Sequence, residues 1–299
     1  MNAMFVPPIQ VKDGPRGRVA TVYGPWTADV EAAVADPAVI RLNVLPGDGQ
    51  PPMDLNALAG VAIQEIGIGD RRITDLEPLA HVRGPLKRAS FILGPDALVE
   101  MSWFPDLEEV FVDWSLVEGW PDRSESLTNI YLGGFDGATL EPLGLNPQVE
   151  RLRLDRSPVE TLDGIDRFPQ LERLWIGGAA RLTSAAALRL VAGTLRELYL
   201  DTCTRLGRLD DLSELTGLTR LEFPDCRTIE SLAPIAPLVE LRDLRGPGST
   251  RIADLDLTPV LGLPRLTEFR MQSRRGYTPS VDDVRAEIAR RAGLGDGTS

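Results

Sequence analysis

A chain of 299 residues with two cysteines, one histidine and a formal net charge of −12 is too poor in ligands for a disulfide or zinc scaffold. Its acidity opposes binding to nucleic acid or anionic membrane, both of which need a basic surface. No stretch approaches the roughly eighteen apolar residues of a membrane span, and the opening MNAMFVPPIQVKD has neither the charged nor the apolar region of a signal peptide.

In chain order, residues 1–38 read as a tail followed by a β-α cap. GRVATVYG at 17–24 has strand composition, and TADVEAAVAD at 27–36 reads as a short amphipathic helix with Thr27 as N-cap and Pro37 as its stop. From 39 to 274 one phrase recurs, clearest as LEEVFV at 107–112, LTNIYL at 127–132, VERLRL at 149–154, LERLWI at 171–176, LRELYL at 195–200 and LTRLEF at 218–223. Extended outward, it starts at Val39, Ile63, Leu86, Leu107, Leu127, Val149, Leu171, Leu195, Leu218, Leu238 and Leu266, which makes about eleven units.

Each phrase predicts a short strand. In LERLWI, Leu171, Leu174 and Ile176 face inward while Arg173 and Trp175 face out, because side chains alternate across a strand. Behind each strand come apolar residues at every third position, as in Leu206, Leu209, Leu212 and Leu215, a spacing suited to 3₁₀ turns. Pro78, Pro142, Pro234 and Pro237 fall in these return segments, where no ladder hydrogen bond is lost. One unit could not fold alone: ordering each residue costs about 1–2 kcal/mol of backbone entropy, more than its few aliphatic side chains return. Stacked neighbours must close the difference.

The tenth unit reads LVELRDL, with Asp243 at an apolar position and a long step after it, so a bulge or insertion is expected there. Residues 275–299 read as a capping helix and tail. Ser280 is its N-cap, Val281, Val284, Ile288 and Ala292 share one face, Gly293 ends it, and LGDGTS frays.

With this phrase and step the chain resembles the leucine-rich repeat superfamily, closest to its 22-residue SDS22-like and internalin-like class. The resemblance covers roughly residues 39–274. It implies an α/β solenoid, a right-handed superhelix in a horseshoe or arc, with short parallel strands on the concave face, 3₁₀ or short helices on the convex face, and a cap at each end. The chain departs from the family pattern eight residues into the unit, usually Asn, where Ser115, Ser157, Ala179, Cys203 and Cys226 stand.

No residue set points to catalysis. His81 lies alone in a return segment, so a Ser-His-Asp, Cys-His or multi-histidine zinc site lacks companions. Cys203 and Cys226 occupy the same position of adjacent units; they read as small buried residues, with a redox or metal pair as the alternative. Asp113, Asp155 and Asp201 share an outward column, but Gly133 and Gly177 separate them, leaving about 10 Å between carboxylates, too far for metal bridging. No phosphate-cradling glycine motif is present, and no cofactor or metal is expected.

The outward positions carry the functional signal. Between the inner residues the strands show Asn43, Gly67, Ser90, Phe111, Tyr131, Arg153, Trp175, Tyr199, Glu222, Arg242 and Arg270. The candidate partner-binding set is Phe111, Asp113, Trp114, Tyr131, Arg151, Arg153, Arg156, Arg173, Trp175, Tyr199 and Asp201, because aromatic residues and Arg are the types enriched at interface hot spots. The alternative is that the rings stack on one another as cross-strand neighbours. A second column alternates in sign, Arg41, Glu65, Arg88, Glu109 and then Arg173, Glu197, Arg220, Glu240, as a ladder of ion pairs. The expected function is a non-catalytic module, monomeric and cytoplasmic, that binds a protein through its concave sheet, the partner being basic if charge guides it. An immunity or inhibitor protein for a toxin, an assembly role, and an enzyme on the repeat face are the alternatives. An arginine-rich basic set, with lysine only at Lys12 and Lys87, points to a high-GC bacterial source.

Overall fold

The computed structural model describes residues 9–295; the start of the expected tail, residues 1–8, and residues 296–299 of the LGDGTS segment expected to fray lie outside the described residues. The chain divides into two compact units, Met1–Leu132 and Gly133–Ser299.

The first unit opens with an antiparallel hairpin, β1 (Ile9–Asp13) and β2 (Arg18–Tyr23). β2 is the strand expected at 17–24, whereas β1 falls where the sequence shows only a tail. Helix α1 (Ala28–Val34) follows, with the Thr27 hydroxyl accepting from the Val30 amide at 3.4 Å and Val30 and Val34 buried. Then come β3 (Val39–Leu45), β4 (Glu65–Ile68), β5 (Arg88–Phe91), β6 (Val99–Glu100), β7 (Glu109–Asp113), β8 (Val117–Glu118) and β9 (Asn129–Gly133), where the unit ends. β2 to β7 pair in parallel in the order β2-β3-β4-β5-β7, while β6 pairs with β8 behind them. Leu42, Val44, Ile66, Ile68, Ala89, Phe91, Val110 and Val112 fill the core from alternate strand positions. The return segments carry 3₁₀ turns at Leu55–Leu58, Glu77–His81 and Met101–Trp103.

The second unit contains β10 (Arg151–Asp155), β11 (Arg173–Gly177), β12 (Glu197–Asp201), β13 (Arg220–Glu222), β14 (Thr228–Ile229), β15 (Asp243–Gly246), β16 (Arg251–Ile252), α2 (Thr258–Leu261), β17 (Glu268–Met271) and α3 (Val281–Gly295). Its main strands are all parallel, in the order β10-β11-β12-β13-β15-β17. The three-residue spacing of Leu206, Leu209, Leu212 and Leu215 produces the 3₁₀ turn Asp210–Leu212, with all four leucines buried.

The tenth repeat corrects the sequence expectation. Arg220 pairs with Asp243 and Leu221 with Leu244, so the unit begins at Leu241, not Leu238. Asp243 then points outward to Arg220 and Arg245 instead of replacing an apolar residue, and Gly246 takes the last inward position. The ladder from β13 through β15 to β17 runs without a bulge, and the step after the unit remains the longest of the second unit's parallel pairs. Arg245 replaces Arg242, and Asp243 replaces Glu240, in the two outward columns.

Two columns hold the repeats of the second unit together. Seven residues into each repeat the backbone turns left-handed, at Gly134, Arg156, Gly178, Thr202, Asp225 and Gly248, with φ between 53° and 73°. Arg156, Thr202 and Asp225 show that the turn itself tolerates a side chain, but at Gly248 a Cβ would sit 2.4 Å from the Asp225 carboxylate, which accepts from the Ser249 amide at 2.8 Å. Just beyond this turn, side chains take over from the missing asparagine ladder. The Cys203 thiol donates to the Ile176 carbonyl at 3.8 Å, Cys226 to Leu200 at 2.9 Å and the Thr250 hydroxyl to Phe223 at 2.7 Å, each reaching back one repeat. Both cysteines are buried and unbridged, and the neighbouring Cys226 thiol together with burial holds the Cys203 thiol well above its ordinary range.

α3 lids the last strand. The Ser280 hydroxyl accepts from the Asp283 amide at 3.1 Å, and Val281, Val284 and Ile288 pack inward. The helix runs past Gly293 to Gly295, and Ala292 is exposed instead of joining that face. Arg285 donates to the Phe269 and Met271 carbonyls at 3.2 and 3.4 Å, satisfying the open edge of β17.

Candidate functional site

In the second unit the outward aromatic residues form a closed stack. The rings of Trp175 and Tyr199 lie 4.7 Å apart at 20°. The Arg153 guanidinium sits 4.4 Å from the centre of Trp175, and that of Arg220 lies 5.3 Å from Tyr199. Register explains the contact: Arg153, Trp175 and Tyr199 are directly opposed on β10, β11 and β12. The guanidiniums are held in turn, Arg153 by Asp155 at 2.8 Å and Arg173 by Glu197 at 2.7 Å. Arg220 contacts Glu222 and Asp243, and Arg245 pairs with Asp243 at 2.7 Å.

Tyr199 corrects the expectation of an exposed anchor. It is only 8% accessible, because Trp175, Arg220 and Glu197 cover it. Its hydroxyl donates to Glu197 at 2.7 Å, and burial and that carboxylate push the phenol well above its ordinary range. The ring-on-ring alternative therefore describes Trp175 and Tyr199 better than a free hot spot does. Asp201 accepts from the Thr202 hydroxyl at 2.8 Å, and Arg156 sits at a left-handed position with φ of 55°. Arg151 is exposed and forms no ion pair among the described residues, although it lies directly opposite Arg173.

In the first unit Phe111, at 42% accessibility, projects from β7 directly opposite Ser90 of β5. Tyr131 is half-buried at the equivalent place on β9, and Asp113 and Trp114 follow Phe111, the Trp114 ring 5.5 Å from that of Trp120. The sign-alternating column forms a network: Arg88 lies 3.1 Å from Glu65, 3.4 Å from Glu108 and 3.6 Å from Glu109, and Arg16 reaches Glu65 at 3.4 Å. Glu65 is buried beneath these guanidiniums.

Solved structures share this fold. An internalin from Listeria monocytogenes matches at a TM-score of 0.53 and 15% identity, over 86% of this chain and 83% of that one. A leucine-rich repeat protein from Leptospira interrogans matches at 0.52 and 14% identity, over 83% of this chain and 70% of that one. The fold is a leucine-rich repeat solenoid. No protein-family profile matches the chain, and no curated protein matches it by sequence.

The leucine-rich repeat places every candidate residue on or beside the strand face, but it splits them into two kinds. Those of the second unit are mostly spent on one another; Phe111 in the first is open. Sequence reasoning passes over Ile92, 50% accessible, which follows β5 with the outward parity of Ser90. The place six residues into each unit, read as a column, would have shown it. His81 is exposed at the end of a 3₁₀ return. Among the described residues no group of three or more His, Cys, Asp or Glu is placed to hold a metal ion, and no helix is long and apolar enough to cross a membrane.

Proposed function

We propose that the chain is a non-catalytic module that binds a protein partner through the strand face of its repeats. The observation that carries this reading is Phe111, a large apolar side chain held 42% accessible on a rigid parallel strand. Repeat solenoids present extended, pre-formed surfaces, so association requires little ordering. Exposed aromatic anchors on such a surface concentrate binding energy.

The test is site-directed photo-cross-linking in the source cell, with a benzophenone side chain at position 111 and, for comparison, at the return-segment position 81. Partner cross-links from position 111 are expected. Cross-links from position 81 alone would move the interface to the return segments and refute the reading.

A further inference from the structure

Six residues into the repeats, next to the Phe111 column, the strand ends of the first unit carry an apolar strip. Val44 pairs with Ile68 and Ile66 with Ala89, which sets Leu45 beside Gly69 and Gly69 beside Ile92. Gly69 has no side chain to intervene, and Leu45 fills the space: its Cδ2 lies 2.8 Å from where a Cβ on Gly69 would stand. Ser90 pairs with Phe111, so Ile92 and Phe111 are diagonal neighbours on one face. Leu45, half-buried, leads to Ile92 and Phe111, 50% and 42% accessible, with the small residues Gly67 and Ser90 leaving the surface between them low. In this column the strip ends at Asp113, which the register sets opposite Ile92, and in the second unit the column carries Asp155, Gly177 and Asp201 with no exposed aliphatic side chain among them.

The segments that leave these same strand ends are acidic. Asp48 follows β3 and Asp96 follows β5; both are exposed and neither has a cationic partner among the described residues. On the same side Arg72 is spent on Asp70 at 2.7 Å and Arg123 on Glu125, which leaves Arg71, among the described residues, as the exposed cation without an ion pair. An apolar strip rimmed by unpaired carboxylates selects a partner of the opposite rim charge, because like charge would cost desolvation and repulsion together.

We propose that the Leu45–Ile92–Phe111 strip docks a protein segment whose apolar side chains are flanked by Lys or Arg. This rests on the strand-face reading above and goes beyond it in place and in partner chemistry: the contact lies in the first unit, and the Trp175–Tyr199 stack is not its centre.

The probe is a short fluorescent peptide of alternating lysine and leucine, compared with its glutamate–leucine counterpart by fluorescence anisotropy. The lysine peptide binds saturably and the glutamate peptide at least about tenfold more weakly. Ile92→Ser and Phe111→Ser each weaken the lysine peptide by about tenfold or more. Asp48→Asn with Asp96→Asn weakens it by roughly threefold and flattens its salt dependence. Leu190→Ser removes an equally exposed leucine, 54% accessible, from a return segment and changes nothing. Near-ultraviolet circular dichroism confirms that each variant is folded.

Equal binding of the two peptides, or unaltered binding by the Ile92 and Phe111 variants, overturns the proposal. So does sedimentation showing that the chain pairs with itself through Phe111, since the occupant is then a second copy. If position 111 cross-links a natural partner through an acidic segment, the partner chemistry fails while the strand-face reading stands. If only position 81 cross-links, both fail.

Discussion

Replacing Trp175 by Ala should destabilise the second unit measurably, although the side chain points away from the core. The ring stacks on Tyr199 at 4.7 Å and lies beneath Arg153 at 4.4 Å. An offset aromatic pair contributes about 0.5–1.5 kcal/mol beyond its area, and a partly exposed cation–π contact contributes about 0.5–1 kcal/mol. Removing the ring also uncovers the face of Tyr199, only 8% accessible in the intact stack. The expected loss is about 2–3 kcal/mol in urea unfolding, with an unchanged dependence on denaturant. A double-mutant cycle with Tyr199→Ala isolates the stacking contribution, which should appear as a coupling of about 0.5–1.5 kcal/mol. Strict additivity, or a Trp175→Ala midpoint equal to that of the parent, would mean that the stack contributes nothing, and that these rings are held open for a partner after all.

Two other outcomes follow from the same packing. Thr250→Val should cost about 1–3 kcal/mol in the same unfolding assay, because the buried Thr250 hydroxyl both accepts from the Cys226 amide at 3.0 Å and donates to the Phe223 carbonyl at 2.7 Å; a neutral substitution would show that water can replace it. Tyr199 should stay protonated through the pH range in which ordinary phenols ionise, since its folded-state value is raised; that stabilisation is complete below about pH 10 and declines as the unfolded chain ionises above it. Comparison with Tyr199→Phe by ultraviolet titration of the folded protein reads this directly, and a wild-type titration with one more phenol ionising in the ordinary range would contradict it.

The repeat phrase makes most of this architecture legible. Alternation in LERLWI foretells the β11 strand, the three-residue leucine spacing foretells the 3₁₀ returns, and Thr27 and Ser280 mark the starts of α1 and α3. The tenth repeat is ambiguous because LVELRDL offers two leucines three residues apart, and local pattern alone cannot choose between Leu238 and Leu241. The choice is made by register, with Gly248 falling seven residues after Leu241 in line with Gly178 and Asp225. Burial of Tyr199 is not legible for a different reason: side-chain parity tells which face a residue occupies, not whether its neighbours lie down across it. β1 escapes because a five-residue strand at a hairpin edge needs no repeat phrase, only a partner in β2.

The tie between Asp225 and Gly248 has a consequence for engineering. The carboxylate of one repeat fills the volume that any larger residue would claim in the next, so neighbouring repeats are keyed to each other, not interchangeable tiles. A protein made by shuffling or duplicating units of this chain would have to carry them over as adjacent pairs, cut elsewhere than between Asp225 and Gly248.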